Sequence, residues 1–418
     1  MNDHNPSVVI FGGGNTALAV TRTLTSIGRP IVVGFDEQDI CRYSRNCEYR
    51  VGHQDYGDEA DETTILEKIG EELPGRAVLI PCSDILALAV ARSRESLSRH
   101  YYVWHNTENE LAQLVDKANL YSRAKKLGLS VPDSVFEPTV SELQDWTQSC
   151  PPPYFAKPGY SGKPNASLKF KNQLFSSREE LYTFVRESGS HSLIVQQYIG
   201  SADGNLYDVY GLNDRNGIPV TVETHRRIRQ WPVGRGITSY GEIPITHDSD
   251  ISKRIVENTL ALFEGIPYHG IFGVEWMHEK ISNELYLIDV NCRPFSSIGH
   301  LEDSGINLPE LAYYEAIGDT NRLLELKETS SVRHTYWIHF ARDLRSALYH
   351  KEVCKDVTLS SWMLQIASAR SFAFLKASDP LPFVIETLSF FGVLVRALVK
   401  TFRNWITRIR QKIDRARL

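Results

Sequence analysis

A short apolar run that ends in three consecutive glycines constrains the fold of this chain more than any other feature. Val8–Phe11 precedes Gly12-Gly13-Gly14, and apolar residues then recur at helical spacing as far as Gly28. This order predicts a strand, a tight turn and a helix. A second strand at residues 30–36 completes a β–α–β unit, and a further strand at residues 78–84 again precedes a helix. The N-terminal domain is therefore predicted to be a doubly wound α/β domain.

Size and charge narrow the class of protein. A chain of 418 residues exceeds one ordinary domain of roughly 100–200 residues, so two or three domains are expected. Hydrophobic residues make up 42% and charged residues 23%, a balance that is typical of folded rather than disordered chains. The formal net charge of −5 argues against a nucleic-acid partner, because it provides no global basic field.

The cysteines and the N-terminal residues indicate the compartment. The six cysteines are scattered and include no C-x-x-C pair, a pattern that predicts neither a disulfide framework nor structural zinc. The first residues lack the basic region and apolar core of a signal peptide. A reducing, cytoplasmic location is therefore expected.

The glycine-rich turn also admits a specific ligand. Gly12-x-Gly14-x-x-Ala17, with Asp36 following after about twenty residues, meets the dinucleotide-binding fingerprint in a permissive form. Small residues let backbone amides approach a pyrophosphate, and a carboxylate can bind a ribose hydroxyl. The same turn also starts the first helix of doubly wound domains that bind other ligands. An NAD(P)-dependent oxidoreductase therefore stands as an alternative function.

Two predicted strands, residues 271–277 and 284–290, carry the most specific group of side chains. Glu275 lies on the first strand, and Asp289 and Asn291 lie at the end of the second. On a hairpin these side chains can share one face, because strand residues two apart point the same way. Two carboxylates and an amide offer the hard oxygen ligands that Mg²⁺ prefers. The alternative is a solvated hairpin face, against which the alternating apolar neighbours argue.

Three upstream segments have features of a nucleotide-binding site. Asp116-Lys117 opens a predicted helix that ends at Leu127. Lys157 ends a predicted strand before a glycine- and serine-bearing loop, residues 159–165, whose amides could contact phosphates together with the lysine. Residues 195–200 form an edge-like segment whose main chain could pair with the rim of adenine.

In this order the segments resemble the ATP-grasp superfamily, in particular its carbamoyl-phosphate-synthase-like members. The resemblance covers residues 7–325 and rests on D-K-x-x-x-Y-x-x-A-x-x-x-G-L-x-V-P, F-A-K-P, V-Q-Q-Y-I-G, G-V-E-W and L-I-D-V-N-C-R-P. It implies a mixed α/β and α+β chain with a Rossmann-like domain before a two-subdomain ATP-grasp fold. The expected divisions are a Rossmann-like domain, a lid subdomain with hinge, a C-terminal ATP-grasp subdomain and a helical extension, at residues 1–115, 116–200, 201–328 and 329–418.

The resemblance also implies which residues bind ATP. Lys117 and Lys157 would bind its phosphates, and Asp203 would contact the ribose. The adenine would lie against the hinge residues Gln197, Tyr198 and Ile199, with contacts from the main chain of the first and third.

Further residues would hold the metal and stabilise the reacting groups. Glu275, Asp289 and Asn291 would bind one or two Mg²⁺ ions, for which Mn²⁺ could substitute. Arg293 would stabilise the transferring phosphoryl group or the acyl-phosphate, and either Arg227 or Arg229 would supply a second cation. The chain departs from the usual motifs at three places: Asp289 replaces a glutamate, Gln196-Gln197 replaces an acidic hinge residue, and Asn165 replaces a lid glycine.

The implied activity is that of an ATP-dependent carboxylate–amine ligase. An amino-acid-like or other small carboxylate would be activated as an acyl-phosphate and captured by an amine, with release of ADP and phosphate. The partners would be these small molecules, and the chain could function as a homodimer. A catalytically silent ATP-binding protein remains open beside the ligase and the oxidoreductase.

The C-terminal residues fall outside the resemblance and have a pattern of their own. Apolar residues recur every three or four positions, while eight basic residues lie between residues 396 and 417. The pattern predicts a basic amphipathic helix, which would suit the anionic inner face of a membrane. Docking on the protein's own body or on a partner is the alternative. The apolar positions are Leu388, Phe391, Val395, Leu398, Phe402, Trp405, Ile409 and Ile413.

Overall fold

Three β-sheets organise the protein. The computed structural model describes residues 5–57, 61–159, 172–200, 203–392 and Arg396. Within these ranges the strands form sheets of five, four and seven strands. The mixture of a parallel sheet with antiparallel sheets agrees with the predicted α/β and α+β character.

The N-terminal sheet is parallel, in the order β3-β2-β1-β4-β5. Its central strand is buried along its whole length, because helices cover both faces of a doubly wound sheet. The predicted strand–turn–helix start is therefore confirmed. The strands are β1 (Val8–Phe11), β2 (Ile31–Gly34), β3 (Glu48–Val51), β4 (Ala77–Pro81) and β5 (Tyr101–Tyr102). The helices are α1 (Gly14–Thr23), α2 (Gly52–Tyr56), α3 (Glu62–Glu72), α4 (Asp84–Arg92), α5 (Arg94–Leu97) and α6 (Glu108–Val115), with a 3₁₀ turn at Ile40–Tyr43.

The second sheet is small and antiparallel, in the order β6-β9-β7-β8. One of its faces packs against two helices through a core that includes Tyr154, Ala156 and Val195. Because side chains alternate along a strand, Phe155 and Lys157 point to the opposite face. The elements are α7 (Lys117–Lys126), β6 (Ser134–Phe136), α8 (Val140–Ser149), β7 (Tyr154–Pro158), β8 (Gln173–Phe175), α9 (Arg178–Ser188) and β9 (Leu193–Gln197).

The third sheet has seven strands, in the order β14-β13-β10-β11-β12-β15-β16. Its interior strand β10, which lies between β13 and β11, is buried at every position. The strands are β10 (Leu206–Asn213), β11 (Pro219–Trp231), β12 (Ile237–Ile243), β13 (Gly270–Glu279), β14 (Glu284–Asn291), β15 (Thr335–Ile338) and β16 (Ser371–Phe372). The helices up to residue 329 are α10 (Ser249–Phe263), α11 (Ile298–Ser304), α12 (Leu308–Ile317) and α13 (Thr320–Thr329).

The helical extension expected at residues 329–418 also contains strands. Two strands in this part of the chain, β15 and β16, continue the seven-stranded sheet, because β15 pairs with the edge of β12 along four residues. The helices here are α14 (Phe340–Tyr349), α15 (Leu359–Ser368) and a helix over residues 381–392, with a π-helical turn at His350–Cys354.

A buried ion pair connects the part of the chain after residue 328 to the N-terminal domain. Asp379 accepts hydrogen bonds from Arg22 Nε at 2.9 Å and from Ser44 Oγ at 2.7 Å. Most of the predicted basic amphipathic pattern, residues 393–395 and 397–418, lies outside the described residues. Among the helices that the structure describes, none combines the length and the apolar character needed to cross a membrane.

Candidate active site

The hairpin of β13 and β14 brings Glu275, Asp289 and Asn291 together. Glu275 lies directly opposite Asp289, and Asn291 lies opposite Gly273 on the same face. The pairing shifts by one residue between Glu275 and Trp276, which leaves Ile288 as the extra residue of a β-bulge. Without this bulge Glu275 would face Ile288, and the two carboxylates would point to opposite faces. Asn291 Nδ2 donates a hydrogen bond to Glu275 Oε1 at 3.3 Å.

Cations from two other elements converge on these carboxylates. Lys117, at the start of α7, places Nζ 2.6 Å from Asp289 Oδ1. Arg227, on β11, places Nη2 2.8 Å from Glu275 Oε1. Lys157, at the end of β7, donates a hydrogen bond from Nζ to the hydroxyl of Tyr121 at 3.2 Å.

Burial and neighbouring charges shift the ionisation of these groups. Burial, together with the positive charge of Lys117, lowers the pKa of Lys157 to about 7. Burial alone would also lower the pKa of Lys117, but the adjacent Asp289 carboxylate raises it above its ordinary value. Burial would raise the pKa of Asp289, yet the two lysines lower it. Asp289 therefore remains ionised at neutral pH, whereas Lys157 titrates there.

Asp208, on β10, is a member of the site that the sequence reasoning missed. It is fully buried beside Glu275 in the sheet and accepts hydrogen bonds from Arg227 Nε at 3.0 Å and Nη2 at 2.6 Å. His225 Nδ1 lies 2.7 Å from its Oδ2. Although burial raises the pKa of a carboxyl group, Arg227 and His225 lower that of Asp208 below its ordinary value. An acidic residue within an apolar strand pattern requires a buried partner, which is the signal that could have found it.

Arg293 connects the hairpin to the N-terminal domain. Its Nε lies 3.2 Å from Oδ1 of Asp84, the first residue of α4, and its Nη2 donates to Asn291 Oδ1 at 2.8 Å. Asp84 is a second residue that the sequence reasoning did not assign to the site. Its position after β4 fits the rule that ligands of open α/β sheets bind at the carboxyl ends of the strands.

A cavity of about 570 Å³ is lined by Glu275, Asp289 and Asn291 and by Asp84, Lys157, Arg227 and Arg293, and this volume is within the range for small-molecule sites. All three sheets or their loops contribute to it. The apolar part of its lining includes Phe155, Ile199, Leu206, Met277 and Ile288. The connection between β11 and β12 covers one side, and Tyr198 Oη donates to the carbonyl of Gly234 at 3.1 Å.

Of the predicted hinge residues, Tyr198 and Ile199 line the cavity, whereas Gln197 does not. The glutamine that lines the cavity is Gln196. It lies on the same face of β9 as Ile194 and directly opposite Phe155, which also lines the cavity. The amide of Gln197 donates to the carbonyl of Asp133 at 2.8 Å, and that of Tyr198 donates to Pro153. These two amides are therefore already occupied by main-chain partners.

Two other predicted site residues face away from the cavity. Asp203 is buried against His350, whose Nε2 lies 2.5 Å from Asp203 Oδ2. Arg229 is held by the carboxylate of Asp343, with contacts of 2.9 Å from Nε and 2.7 Å from Nη2. A shift in strand pairing between Arg227 and Arg229 turns these arginines to opposite faces of β11. Only Arg227 therefore accompanies the carboxylates.

The glycine-rich turn binds a side chain of the protein, Asp39. The carboxylate of Asp39 accepts hydrogen bonds from the amides of Gly14 at 2.6 Å and Cys41 at 2.8 Å. It thus sits at the N terminus of α1, where a dinucleotide-binding fold receives a pyrophosphate. Asp36, the predicted ribose ligand, accepts from the amide of Gln38. The geometry argues against the oxidoreductase alternative.

Solved structures with the same arrangement identify the fold. The N5-carboxyaminoimidazole ribonucleotide synthetase of Thermus thermophilus matches with a TM-score of 0.59 and 16% identity, over 74% of this chain and 78% of its own. The L-amino acid ligase of Bacillus licheniformis matches with 0.59 and 15%, over 80% of each chain. The chain has the ATP-grasp fold. The biotin carboxylase of Campylobacter jejuni matches it with 0.57 and 16% identity, over 78% of this chain and 74% of its own.

Sequence comparison adds a weaker link to the same fold. The large chain of carbamoyl phosphate synthase from Saccharolobus solfataricus is 29% identical over 196 residues. The match covers 44% of this chain and only 17% of that relative's length. No family model matches the sequence. The resemblance to ATP-grasp proteins is thus confirmed at the level of the fold.

Proposed function

We propose that this ATP-grasp protein is an ATP-dependent carboxylate–amine ligase. The observation that carries the proposal is the polar part of the cavity lining, where Glu275, Asp289 and Asn291 share one face beside Lys117 and Arg227. Oxygen ligands for a divalent cation and cations for phosphate oxygens are thus combined in one place. The apolar part of the same lining, which includes Met277 and Ile288, suits a nucleobase.

The donor set fits Mg²⁺, and Mn²⁺ has the same preference for oxygen ligands. Glu275 and Asp289 would supply carboxylate oxygens, and Asn291 would supply its amide oxygen. In the structure each carboxylate is paired with a cation, Arg227 or Lys117, which compensates its charge. Bound Mg²⁺ would neutralise charge on the phosphates of ATP.

The proposed reaction has two steps. A carboxylate oxygen of the substrate attacks the γ-phosphorus of ATP, and ADP leaves with the electron pair of the broken P–O bond. The nitrogen of an amine then attacks the acyl carbon, phosphate leaves, and the amine loses a proton. Lys117, Lys157, Arg227 and Arg293 would neutralise the charge that moves in these steps, and catalysis would otherwise consist of positioning.

The neighbours support small-molecule substrates without specifying them. An N5-carboxyaminoimidazole synthase from Aspergillus clavatus was solved with ADP and 5-aminoimidazole ribonucleotide, and another neighbour is an L-amino acid ligase. We propose an amino-acid-like or other small carboxylate for this chain. It would bind near Asp84 and Arg293, since the N-terminal domain contributes to the polar part of the cavity lining there.

Magnesium-dependent release of ADP tests the proposal. We expect release that requires both a carboxylate and an amine, screened across pools of amino acids and other small carboxylates. Glu275→Gln and Asp289→Asn should each lower the rate by at least about 100-fold. Glu284→Gln, an exposed change on the same hairpin, is the matched control.

One result would count against the ligase and another against the metal assignment. ATP that raises the melting temperature without turnover in any pool would favour the silent ATP-binding alternative. Full turnover in both carboxylate variants would remove the metal assignment, even if the ligase activity stood.

We also propose a peripheral membrane contact, favoured by one observation. On the helix over residues 381–392, Leu381, Val384, Leu388 and Phe391 follow each other at intervals of three, four and three residues, and all are exposed. They form a single apolar stripe. The opposite side of the helix, including Phe383 and Phe390, packs on the protein.

A further inference from the structure

The turn after α14 gathers three metal-ligating side chains outside the ATP-grasp cavity. His350 and Cys354 begin and end a π-helical turn, and Lys355 follows in the left-handed conformation with φ of 61°. This reversal returns Asp356 to His350, whose Nδ1 lies 3.0 Å from Asp356 Oδ1. Single π-helical turns are frequent at functional sites.

The three donor atoms are already close to one another. One ligand atom each from His350, Cys354 and Asp356 lies within 4.8 Å of the other two. Two ligands of one tetrahedral zinc ion are roughly 3.5 Å apart. Cys354 and Asp356 are exposed. Their side chains can therefore move closer to each other and to His350, to the separation of zinc ligands, without disturbing a packed core. The same exposure gives an ion a path of entry and a position for water.

A fourth residue supports His350 in the way that metal-binding histidines are usually supported. Its second ring nitrogen, Nε2, lies 2.5 Å from Oδ2 of Asp203, and both side chains are buried. A carboxylate behind a ligating imidazole fixes the tautomer that leaves the other nitrogen free for the metal. This contact also accounts for Asp203, which the nucleotide site does not use.

We propose that His350 Nδ1, Cys354 Sγ and the Asp356 carboxylate bind Zn²⁺, with Asp203 as the carboxylate that orients the imidazole. One nitrogen, one sulfur and one oxygen donor form a set that suits zinc and disfavours Mg²⁺, which takes oxygen ligands. Water would complete the tetrahedron. The site is therefore chemically distinct from the one at Glu275 and Asp289, and it does not depend on the ligase proposal.

The site would connect two distant parts of the chain. Asp203 follows the hinge strand β9 closely, whereas the three ligands belong to the C-terminal part that begins after residue 328. Zinc would thus fix the contact between the C-terminal part and the chain just beyond Tyr198 and Ile199, which line the ATP-grasp cavity. The spacing of the cysteines gave no indication of structural zinc, because the proposed site contains only one cysteine. Its ligands are of three types and follow an H-x-x-x-C-x-D order.

Cobalt substitution tests the site on the full-length protein. Co²⁺ bound to a thiolate gives a near-ultraviolet charge-transfer band, which oxygen ligands cannot produce. Cys354 is the one exposed cysteine of the six, so the band would report this thiolate. We expect the band to reach full intensity at one equivalent of Co²⁺ and to be displaced by Zn²⁺.

Substitutions of the proposed ligands, with a control in the same turn, test whether these residues bind the metal. Cys354→Ser should abolish the band, and Asp356→Asn should weaken Zn²⁺ binding by at least about tenfold. Glu352→Gln, an exposed acidic residue of the same turn, should change neither. Absence of the band in the wild-type protein, or its persistence in Cys354→Ser, would overturn the proposal. Measurements without nucleotide keep the result independent of ADP release.

Discussion

Among the individual residues of the cavity, Lys157 has the most informative environment. It is buried beside Lys117, and its amino group contacts the hydroxyl of Tyr121. Burial and the neighbouring lysine lower its pKa to about 7. A neutral amine is a poor ligand for phosphate, so nucleotide binding should draw a proton to this side chain.

We therefore predict that ATP binding takes up close to one proton at pH 8 and much less at pH 6. Below pH 7 Lys157 is already charged, whereas above pH 7 the bound phosphates must raise its pKa, which weakens the apparent affinity by up to about tenfold per pH unit. Calorimetric titration in buffers of different ionisation enthalpy measures the uptake. Lys157→Arg should remove it, because a guanidinium stays charged. Equal heats in all buffers at pH 8 would contradict the prediction.

Arg227 and Arg229, both on β11, should have different roles. Arg229 forms a buried two-point ion pair with Asp343, which also accepts from Trp362 Nε1 at 2.8 Å. Asp343→Asn should lower the free energy of unfolding by about 3–5 kcal/mol, since it leaves a buried guanidinium unpaired. Denaturant unfolding measures this loss, and the KM for ATP should not change.

Arg226→Gln is the control for that experiment. Arg226 is partly exposed and pairs with Glu242, so its loss should cost at most about 1 kcal/mol. A raised KM for ATP in Asp343→Asn would instead place Arg229 back among the groups that contact phosphate.

Among the secondary-structure elements, two β-bulges decide what each strand presents to the cavity. The bulge at Ile288 turns Asp289 to the face of Glu275, and the shift after Arg227 turns Arg229 away. A displacement of one residue exchanges the two faces of a strand. Without the bulges, strands of the same sequence would present different side chains to the cavity.

The helix over residues 381–392 provides a prediction about a single element. Leu388 and Phe391 are 63% and 51% exposed, and the chain beyond them is rich in basic residues. Vesicles that contain phosphatidylglycerol should pellet the full-length protein, and Leu388→Glu with Phe391→Glu should weaken this binding by at least about tenfold. Ile281→Glu, at an exposed turn elsewhere, is the matched control. If the variant with Leu388→Glu and Phe391→Glu pelleted as well as the Ile281→Glu control, the proposed membrane contact would be wrong.

In the molecule as a whole, the part after residue 328 belongs to the body of the protein. It supplies β15 to the seven-stranded sheet and the carboxylates that pair with two buried arginines, Arg22 and Arg229. It therefore stabilises both the N-terminal domain and the ATP-grasp sheet.

A chain that ends at residue 328 should not fold cooperatively. Such a chain would lose the strand that pairs with the edge of β12 and would expose apolar side chains that this part covers, such as Tyr240. A chain that ends at residue 392 keeps this strand and these contacts and should fold. Thermal unfolding followed by circular dichroism compares the two. A sharp transition in the shorter chain would show that the C-terminal part is dispensable.

Local patterns in the sequence are enough to predict the main elements and most residues of the candidate site. An apolar run before glycines predicts β1 and α1, and the resemblance of the D-K, F-A-K-P and L-I-D-V-N-C-R-P segments to ATP-grasp motifs implies Lys117, Lys157 and Asp289. These features depend on neighbours within a few positions, which a single sequence displays.

Which of these residues meet depends on the folded arrangement of the chain. Asp208 pairs with an arginine of the neighbouring strand, and Asp84 pairs with one 209 residues away. Asp39 fills the glycine-rich turn, and Asp203 contacts His350. The physical reason is twofold. Charged groups are placed by partners that only folding brings near, and a one-residue shift in strand pairing reverses the face on which a side chain emerges.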